Sequence, residues 1–534
     1  MKFAEASKRA LRNIAKHGDT DIFPFLFEKH IFFDRENEAR QILKNIHSDF
    51  FKYLNNQPPA TIPALTQVGY TGFRWATQIE PFWNAYYLAC VIMLADKIEA
   101  ERASENAQAV FSYRYKWNAD DAKLFKDVTW TDYRKRSLKL CENSQFVVVT
   151  DIADFYPRIY HHRIENALSR LTDPGDIPKR IMALLKAFSN NVSYGLPIGG
   201  PASRILSELA LNAIDKQLLT KKIPFCRYAD DFCLFCNDRA EAYRYLVLLS
   251  QKLSTEGLVL QKKKTKIQTV DEFRENSKLL DPNKETAALA TDEEKLLGIS
   301  IRYDPYSDNP DKDYEELKEA VNNVDIVGIL GREIAKTAID TTVTRQAINA
   351  VRALDENARI GAIRTLLDPE NLEVLAPVFV TVMRASRGVY SDLDDDGKNL
   401  VDEALVTLYD SNSSYLLTID LHIAYYIQAL SQRWSQRKEE ILIELFEENR
   451  NPLVRRLVLL TLANWKCYHW LSDIKQNYGS FNEWEKRAMI LGSFYLGDEG
   501  EHWRNNKKRT WNEMESLIHE WSSNRFQTNQ VVPV

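Results

Sequence analysis

The sequence lacks a surplus of basic charge. Seventy lysines and arginines stand against 75 aspartates and glutamates, a net −5, so no broad cationic surface is available to grip a polyanion along its length. Basic residues bunch only locally, at Arg134-Lys135-Arg136 and Lys262-Lys263-Lys264-Thr265-Lys266, which suits a short nucleic-acid footprint. Long apolar runs are missing too. The longest, Ala85 to Ala95, is about half of a membrane span and reads as a buried helix, so no membrane partner is expected. Met1-Lys2-Phe3-Ala4-Glu5 opens a charged helical pattern rather than an apolar leader, which predicts a cytoplasmic protein. Cysteine is scarce. Cys90, Cys141, Cys226, Cys233, Cys236 and Cys467 show no disulfide spacing, as in a reducing compartment. Cys233-Leu234-Phe235-Cys236 has no second pair and no histidine at zinc spacing, so it reads as strand core.

A chain of 534 residues is long enough for two or three domains. Residues 1–106 read as a helical extension, with Pro81 at the first turn of an apolar helix running through Phe82 to Glu99. Residues 107–303 interleave strands and helices, an α+β pattern. Gln145–Val149 is a β-branched run, and helices are predicted over His162–Leu171, Ile177–Phe188 and Pro201–Leu219. Phe225–Phe235 is an apolar strand pair, and Leu258–Val270 another strand. The polar stretches Asp281–Glu294 and Tyr303–Asp313 punctuate the chain, and the second is taken as a boundary. Over 304–534 the apolar residues fall at helical spacing: Ile363, Leu366 and Leu367; Val374, Val378 and Val382; Ile423, Ile427 and Leu430; Leu453, Leu457 and Leu460. Helix pairs with short loops predict an α-solenoid, with a helical bundle as the alternative.

The chemistry concentrates in Phe225-Cys226-Arg227-Tyr228-Ala229-Asp230-Asp231-Phe232-Cys233-Leu234-Phe235. Two adjacent carboxylates between apolar runs fit the tip of a β-hairpin. Alone, such a pair is most simply a solvated turn. A third carboxylate changes this: Asp151 ends the strand Phe146–Thr150 and opens Asp151-Ile152-Ala153-Asp154-Phe155-Tyr156-Pro157. Carboxylates on a strand end and a neighbouring hairpin form the two-metal arrangement for phosphoryl transfer, so Asp151, Asp230, Asp231 and the Ile152 carbonyl are the candidate ligands for Mg²⁺ or Mn²⁺.

These residues resemble the reverse transcriptases. Tyr228-Ala229-Asp230-Asp231 resembles their motif C, and Asp151 with Phe155-Tyr156 their motif A. Gly195-Leu196-Pro197-Ile198-Gly199-Gly200-Pro201-Ala202-Ser203 resembles motif B. Leu258-Val259-Leu260 with Lys264-Thr265 resembles motif D, and Leu296-Leu297-Gly298-Ile299 motif E. The resemblance implies a fingers and palm fold and an RNA-directed DNA polymerase, a nucleotidyltransferase joining dNTPs. It places Tyr156 as the ring that excludes a 2′-hydroxyl, and Gly199 and Gly200 against a base pair, where glycine allows close approach. Lys264 becomes a candidate proton donor to pyrophosphate, or a surface cation. Arg114 becomes a candidate triphosphate clamp, with Arg134 and Arg136 as competitors.

Ile198 departs from the pattern, since templated relatives usually carry Gln there. Together with the long helical tail, this resembles bacterial abortive-infection reverse transcriptases with a C-terminal HEAT-like repeat domain. That resemblance implies antiphage defence, a bacterial cytoplasmic setting, a homo-oligomer, and DNA synthesis that is untemplated or primed from a tyrosine of the protein, of which there are 24. An enzyme templated by a bound non-coding RNA is the first alternative. A helical-repeat binding scaffold with a vestigial palm is the second. Separately, Asp392, Asp394, Asp396 and Glu403 match an EF-hand calcium loop, with Asn399 where an aliphatic residue is usual; the simpler reading is an acidic loop with a helix cap.

Overall fold

A computed structural model describes residues 1–171, 176–276, 292–298, 318, 319, 321 and 324–528. The chain divides into two compact units, Met1–Thr61 with Thr77–Lys278, and Ile62–Ala76 with Leu279–Val534. No break at residue 106 sets off an N-terminal extension as a unit of its own. The boundary expected over Tyr303–Asp313 lies outside the described residues.

The first 106 residues are not all helical. Two strands, β1 (Thr61–Val68) and β2 (Gly72–Ile79), form a hairpin. The signal was present in the β-branched and aromatic residues flanking Gly69-Tyr70-Thr71-Gly72, where Gly69 takes a positive φ of 70°. A second hairpin pairs β3 (Tyr115–Asn118) with β4 (Lys123–Phe125).

In the first unit, helix α1 (Phe3–His17) packs on α2 (Pro81–Glu101). From Pro81 to Ile92 every residue of α2 is buried, which explains its unbroken apolar character. Pro81 lacks the N–H that a first helical turn leaves unbonded, and the Glu80 carboxylate caps the Trp83 amide. Helix α3 (Trp130–Cys141) opens on a capping box between Thr129 and Asp132. Helix α4 (Pro201–Thr220) packs on α2, and α5 (Arg239–Thr255) comes after it in the chain.

The central sheet has four antiparallel strands in the order β6-β7-β5-β8, from β5 (Phe146–Asp151), β6 (Phe225–Tyr228), β7 (Asp231–Cys236) and β8 (Lys266–Thr269). Val147, Cys226, Cys233 and Phe235 share a core with Tyr133, Cys141, Val270 and Phe273. All six cysteines are free and buried, and Cys233 meets the Tyr133 hydroxyl at 3.1 Å, so the CxxC segment is strand core as expected.

Among its described residues, the second unit is helical apart from the hairpin segment it includes. Tyr70 donates its hydroxyl to the Val374 carbonyl at 2.7 Å and accepts from the Ile339 amide at 3.2 Å. Helix Phe379–Val389 packs on Asp420–Leu430, that on Pro452–Asn464, that on Glu483–Gly492, and that on Glu513–Gln527. The expected stripe Val374, Val378 and Val382 does not lie on one helix. Pro377 removes an amide and clashes with a continuing turn, so Pro369–Val374 ends, a 3₁₀ turn spans Ala376–Val378, and a new helix begins at Phe379. No helix among the described residues is long and apolar enough to cross a membrane.

Candidate active site

Strand register alone brings the acidic residues together. Asp151, the last residue of β5, lies directly opposite Asp231, the first of β7. Tyr228 also pairs with Asp231, so Ala229 and Asp230 turn the chain between β6 and β7. Ala229 takes a left-handed φ of 52°, which costs a residue with a Cβ about 1 kcal/mol. The Ile152 amide donates to the Asp230 carbonyl at 3.2 Å, tying the end of motif A to this turn.

Like charges facing one another across a ladder repel. Burial, and then the charges of Asp151 and Asp231, push the Asp230 carboxyl up to about 7. Burial and the charge of Asp151 push Asp231 up to about 6. Asp151 is 7 % exposed; its Oδ2 accepts from Lys264 Nζ at 2.6 Å, and its buried Oδ1 has no hydrogen-bond partner. An orphaned carboxylate oxygen beside two more carboxylates is the donor set a hard divalent cation takes. Among the described residues, no group of three or more His, Cys, Asp or Glu side chains is placed to hold a metal ion.

Lys264 reaches Asp151 because the motif D segment is a strand only in part. Ile152 bridges Leu260, and Gln261 donates its amide to the Asp151 carbonyl at 2.7 Å. The amides of Lys264 and Thr265 then turn back on the Gln261 carbonyl before β8 begins at Lys266. The continuous strand expected over Leu258–Val270 is therefore interrupted, and the turn points Lys264 at the carboxylates. Burial alone would lower its pKa, but the hydrogen bond and charge of Asp151 outweigh it and raise it. The Thr150 and Thr265 hydroxyls meet at 2.7 Å beneath.

Tyr156 lies in a short helical turn, Phe155–Arg158, with its hydroxyl 3.5 Å from Ser207 Oγ on α4. The Leu196 amide donates to the Tyr156 carbonyl at 3.0 Å, so motifs A and B are stitched together beside the ring. Gly199 and Gly200 do permit a close approach, but by this chain. A Cβ at Gly199 would lie 2.5 Å from Thr20 Oγ1 and 2.8 Å from Asp21 Oδ1, and one at Gly200 would lie 3.3 Å from the Asp19 carbonyl. On the side a Cβ would take, the close approach is therefore made by the N-terminal loop. Arg204, one helical turn on, pairs with Asp21 and lies over the Tyr113 ring.

Arg114 cannot clamp a triphosphate. It is 3 % exposed, and its guanidinium bonds Glu99 and the carbonyls of Ala103 and Val110. Arg134 lies over the Trp130 and Phe273 rings and contributes to lowering the Asp231 carboxyl against burial. What the sequence did not flag is Arg227, buried beneath the hairpin and paired with Asp215 and Glu208. Its only signal was a charged residue inside an apolar strand, matched by acids seven apart on α4.

Two further motifs are relocated. Leu296, Leu297 and Gly298 lie on the helix Asp292–Gly298, and Ile299 is outside the described residues. The calcium reading fails because the twelve-residue loop does not exist: a helix starts at Asp395, with Asp394 as its cap bonding the Gly397 amide at 2.7 Å. Asp396 and Glu403 are therefore helical, and Asp392 pairs with Arg352.

Residues 96–301, less than half of the chain, match the model of the family described as reverse transcriptase (RNA-dependent DNA polymerase). No curated protein matches. Among solved structures, telomerase from Candida albicans with a fragment of telomeric RNA aligns at TM-score 0.32 and 10 % identity over 78 % of this chain and 70 % of that one. Apo telomerase from Candida tropicalis aligns at 0.30 and 10 % over 80 % and 73 %. Scores of this size carry no argument about this chain. The family match falls on the segment that holds Asp151, Tyr156, Asp230, Asp231 and Lys264: residues 96–301 are a reverse transcriptase domain, and the protein is an enzyme of the RNA-directed DNA polymerase type.

Proposed function

We propose that the protein joins dNTPs into DNA at Asp151, Asp230 and Asp231 with Mg²⁺ or Mn²⁺, in the cytoplasm of a bacterium and in defence against phage by abortive infection. The observation that carries the catalytic part is the pairing of Asp151 with Asp231 across the sheet, with an orphaned Asp151 oxygen and a destabilised Asp230 beside it. The Ile152 carbonyl would join the three carboxylates as a ligand. Bound cations would stabilise charge on the attacking and leaving oxygens of the nucleotide. Lys264 keeps an ammonium beside Asp151, from where it would give a proton to pyrophosphate. Tyr156, held at the junction of motifs A and B, would exclude a ribose by bulk.

Synthesis without a tightly read template is supported by Ile198. It is 9 % exposed and lines a cavity of about 10 Å³ with Asp19, Gln78, Asn84 and Tyr87, so its side chain packs on this unit rather than presenting a polar edge to a base. A protein tyrosine would then supply the priming hydroxyl, held at high effective concentration by the fold. The stacked helices that start at Phe379, Asp420, Pro452, Glu483 and Glu513 recur at intervals of about 30–40 residues, which supports a HEAT-like α-solenoid as a scaffold for a homo-oligomer.

A second reading, RNA-templated synthesis on a bound RNA, is favoured by the family match itself. A vestigial palm is disfavoured, because decay would not preserve the three aspartates together with the pairing of Lys264 on Asp151. Labelled dNTP incorporation by purified protein, with and without added RNA and primer, separates these. Label that remains with the polypeptide through boiling in detergent, and is released by protease, supports protein priming without template. Free DNA made only when RNA is added moves the templated reading to first place.

A further inference from the structure

Arginine has five N–H donors in a planar fork, and in Arg227 all five are engaged. Nε donates to Asp215 Oδ1 at 2.9 Å, and Nη2 donates to Asp215 Oδ2 at 2.6 Å and Glu208 Oε2 at 2.8 Å. Nη1 donates to Glu208 Oε1 at 3.2 Å and, with its remaining hydrogen, to the Ala229 carbonyl at 2.8 Å. Four bonds therefore orient the guanidinium and the fifth holds the catalytic turn at its one left-handed residue. A strained backbone position persists only when its surroundings over-determine it, and this bond is the means. The Arg227 side chain is fully buried, and its own amide and carbonyl are fixed by Ala109 and Phe111.

The acids that orient Arg227 are themselves held. Glu208 accepts from Arg102 and from Ser112 Oγ, each at 2.5 Å, Arg102 pairs with Glu99 at 3.0 Å, and Glu99 pairs with Arg114 at 2.9 Å. Arg114, Glu99, Arg102, Glu208, Arg227 and Asp215 form a row of alternating charge, buried except for the partly exposed Glu99, that reaches the hairpin through Arg227. We infer that Arg227 is a positioning residue for the polymerase reaction: the row fixes its fork, and the fork fixes the Ala229-Asp230 turn so that the Asp230 and Asp231 carboxylates converge on Asp151 ready for a divalent cation. The inference rests on the polymerase reading of that site. Lysine keeps the charge but has no planar fork and only three donors, so it cannot hold both acids and the turn.

The test uses full-length Arg227→Lys against Arg102→Lys, which disturbs the same row and the same Glu208 without touching the turn. Three readouts are taken: Mn²⁺ binding to protein alone by electron paramagnetic resonance, amide exchange over residues 229–232, and kcat and KM for dNTP. Arg227→Lys should weaken Mn²⁺ binding about 10- to 100-fold, as losing a partner behind metal ligands does. It should also speed exchange at the turn and lower kcat at unchanged KM, while Arg102→Lys, which leaves the Arg227 fork on Asp215 and on the Ala229 carbonyl, should shift Mn²⁺ binding and turn exchange by clearly less. Wild-type Mn²⁺ binding and exchange in Arg227→Lys overturn the inference, as does an equal loss in Arg102→Lys. If Arg227→Lys does not fold, Asp215→Asn loosens the fork from one side and should give a smaller shift in the same direction; no shift there overturns it equally. A wild-type protein that binds no Mn²⁺ instead sinks the polymerase reading, and the brace with it.

Discussion

Replacing Asp230 with asparagine should stabilise the metal-free protein, and only at pH values where the aspartate is charged in the unfolded chain. A carboxyl raised from 3.8 to about 7 by burial and by its neighbours carries a gross penalty of about 4 kcal/mol, at ~1.4 kcal/mol per unit. Asp231 is raised by burial in the same place, so the penalty is shared between the two, and removing one charge should recover about 2 kcal/mol. Because the folded value is raised, the penalty is absent below about pH 4, grows as pH rises, and is complete above about pH 7. For a unit of this size, 2 kcal/mol is roughly a 4–8 °C rise in melting temperature. Thermal melting of chelator-treated wild type and Asp230→Asn from pH 4 to pH 8 reads this directly. The gap should be widest at pH 8 and close at pH 4, and added Mg²⁺ should stabilise wild type more than the variant. A variant that melts at or below wild type at pH 8, or a gap independent of pH, would refute the reasoning. Asp151→Asn should give no such gain, since it also breaks the pair with Lys264.

Three further outcomes are expected. Tyr156→Ala should relax dNTP over rNTP preference by removing a clash without adding a contact; discrimination unchanged in competition assays would place the gate elsewhere. Gly199→Ala should lower stability by about 1–3 kcal/mol, because residue 199 has a φ of 98° and a Cβ there meets Thr20 at 2.5 Å; a melting temperature equal to wild type contradicts this packing on the N-terminal loop. Arg114→Ala should lose stability by about 1–3 kcal/mol, leaving the carbonyls of Ala103 and Val110 without its guanidinium and Glu99 with one partner fewer, and at a temperature where it stays folded its KM for dNTP should match wild type; a raised KM would restore Arg114 as a triphosphate ligand.

The juxtaposed carboxylates were legible because their geometry comes from strand register, which apolar runs report directly. Phe146–Val149 and the flanks of Asp230-Asp231 could hardly be anything but strands, and strands ending in aspartates put those aspartates side by side. The helices over His161–Leu171, Asp176–Phe188 and Pro201–Thr220 were equally plain from periodicity. Arg114 misled because an arginine's partners are set by tertiary contacts: Glu99 and Ala103 come from a different element, and no local pattern shows that its charge is already satisfied. The same blindness hid Arg227. The glycines of motif B were read correctly as a close approach, but what approaches them is a loop nearly 180 residues earlier in the chain. The apparent calcium loop failed on a local cue, since an aspartate before Asp395-Asp396-Gly397 is as good a helix cap as a ligand.

The central claim, that Asp151, Asp230 and Asp231 form one polymerase centre, is tested most directly by labelled dNTP incorporation in Mg²⁺ by wild type and by the Asp151→Asn/Asp230→Asn double variant. Both should be folded by circular dichroism and melting. Wild type should incorporate label and the variant none above background, with Mn²⁺ failing to restore it. Incorporation by the double variant at the wild-type level would contradict it.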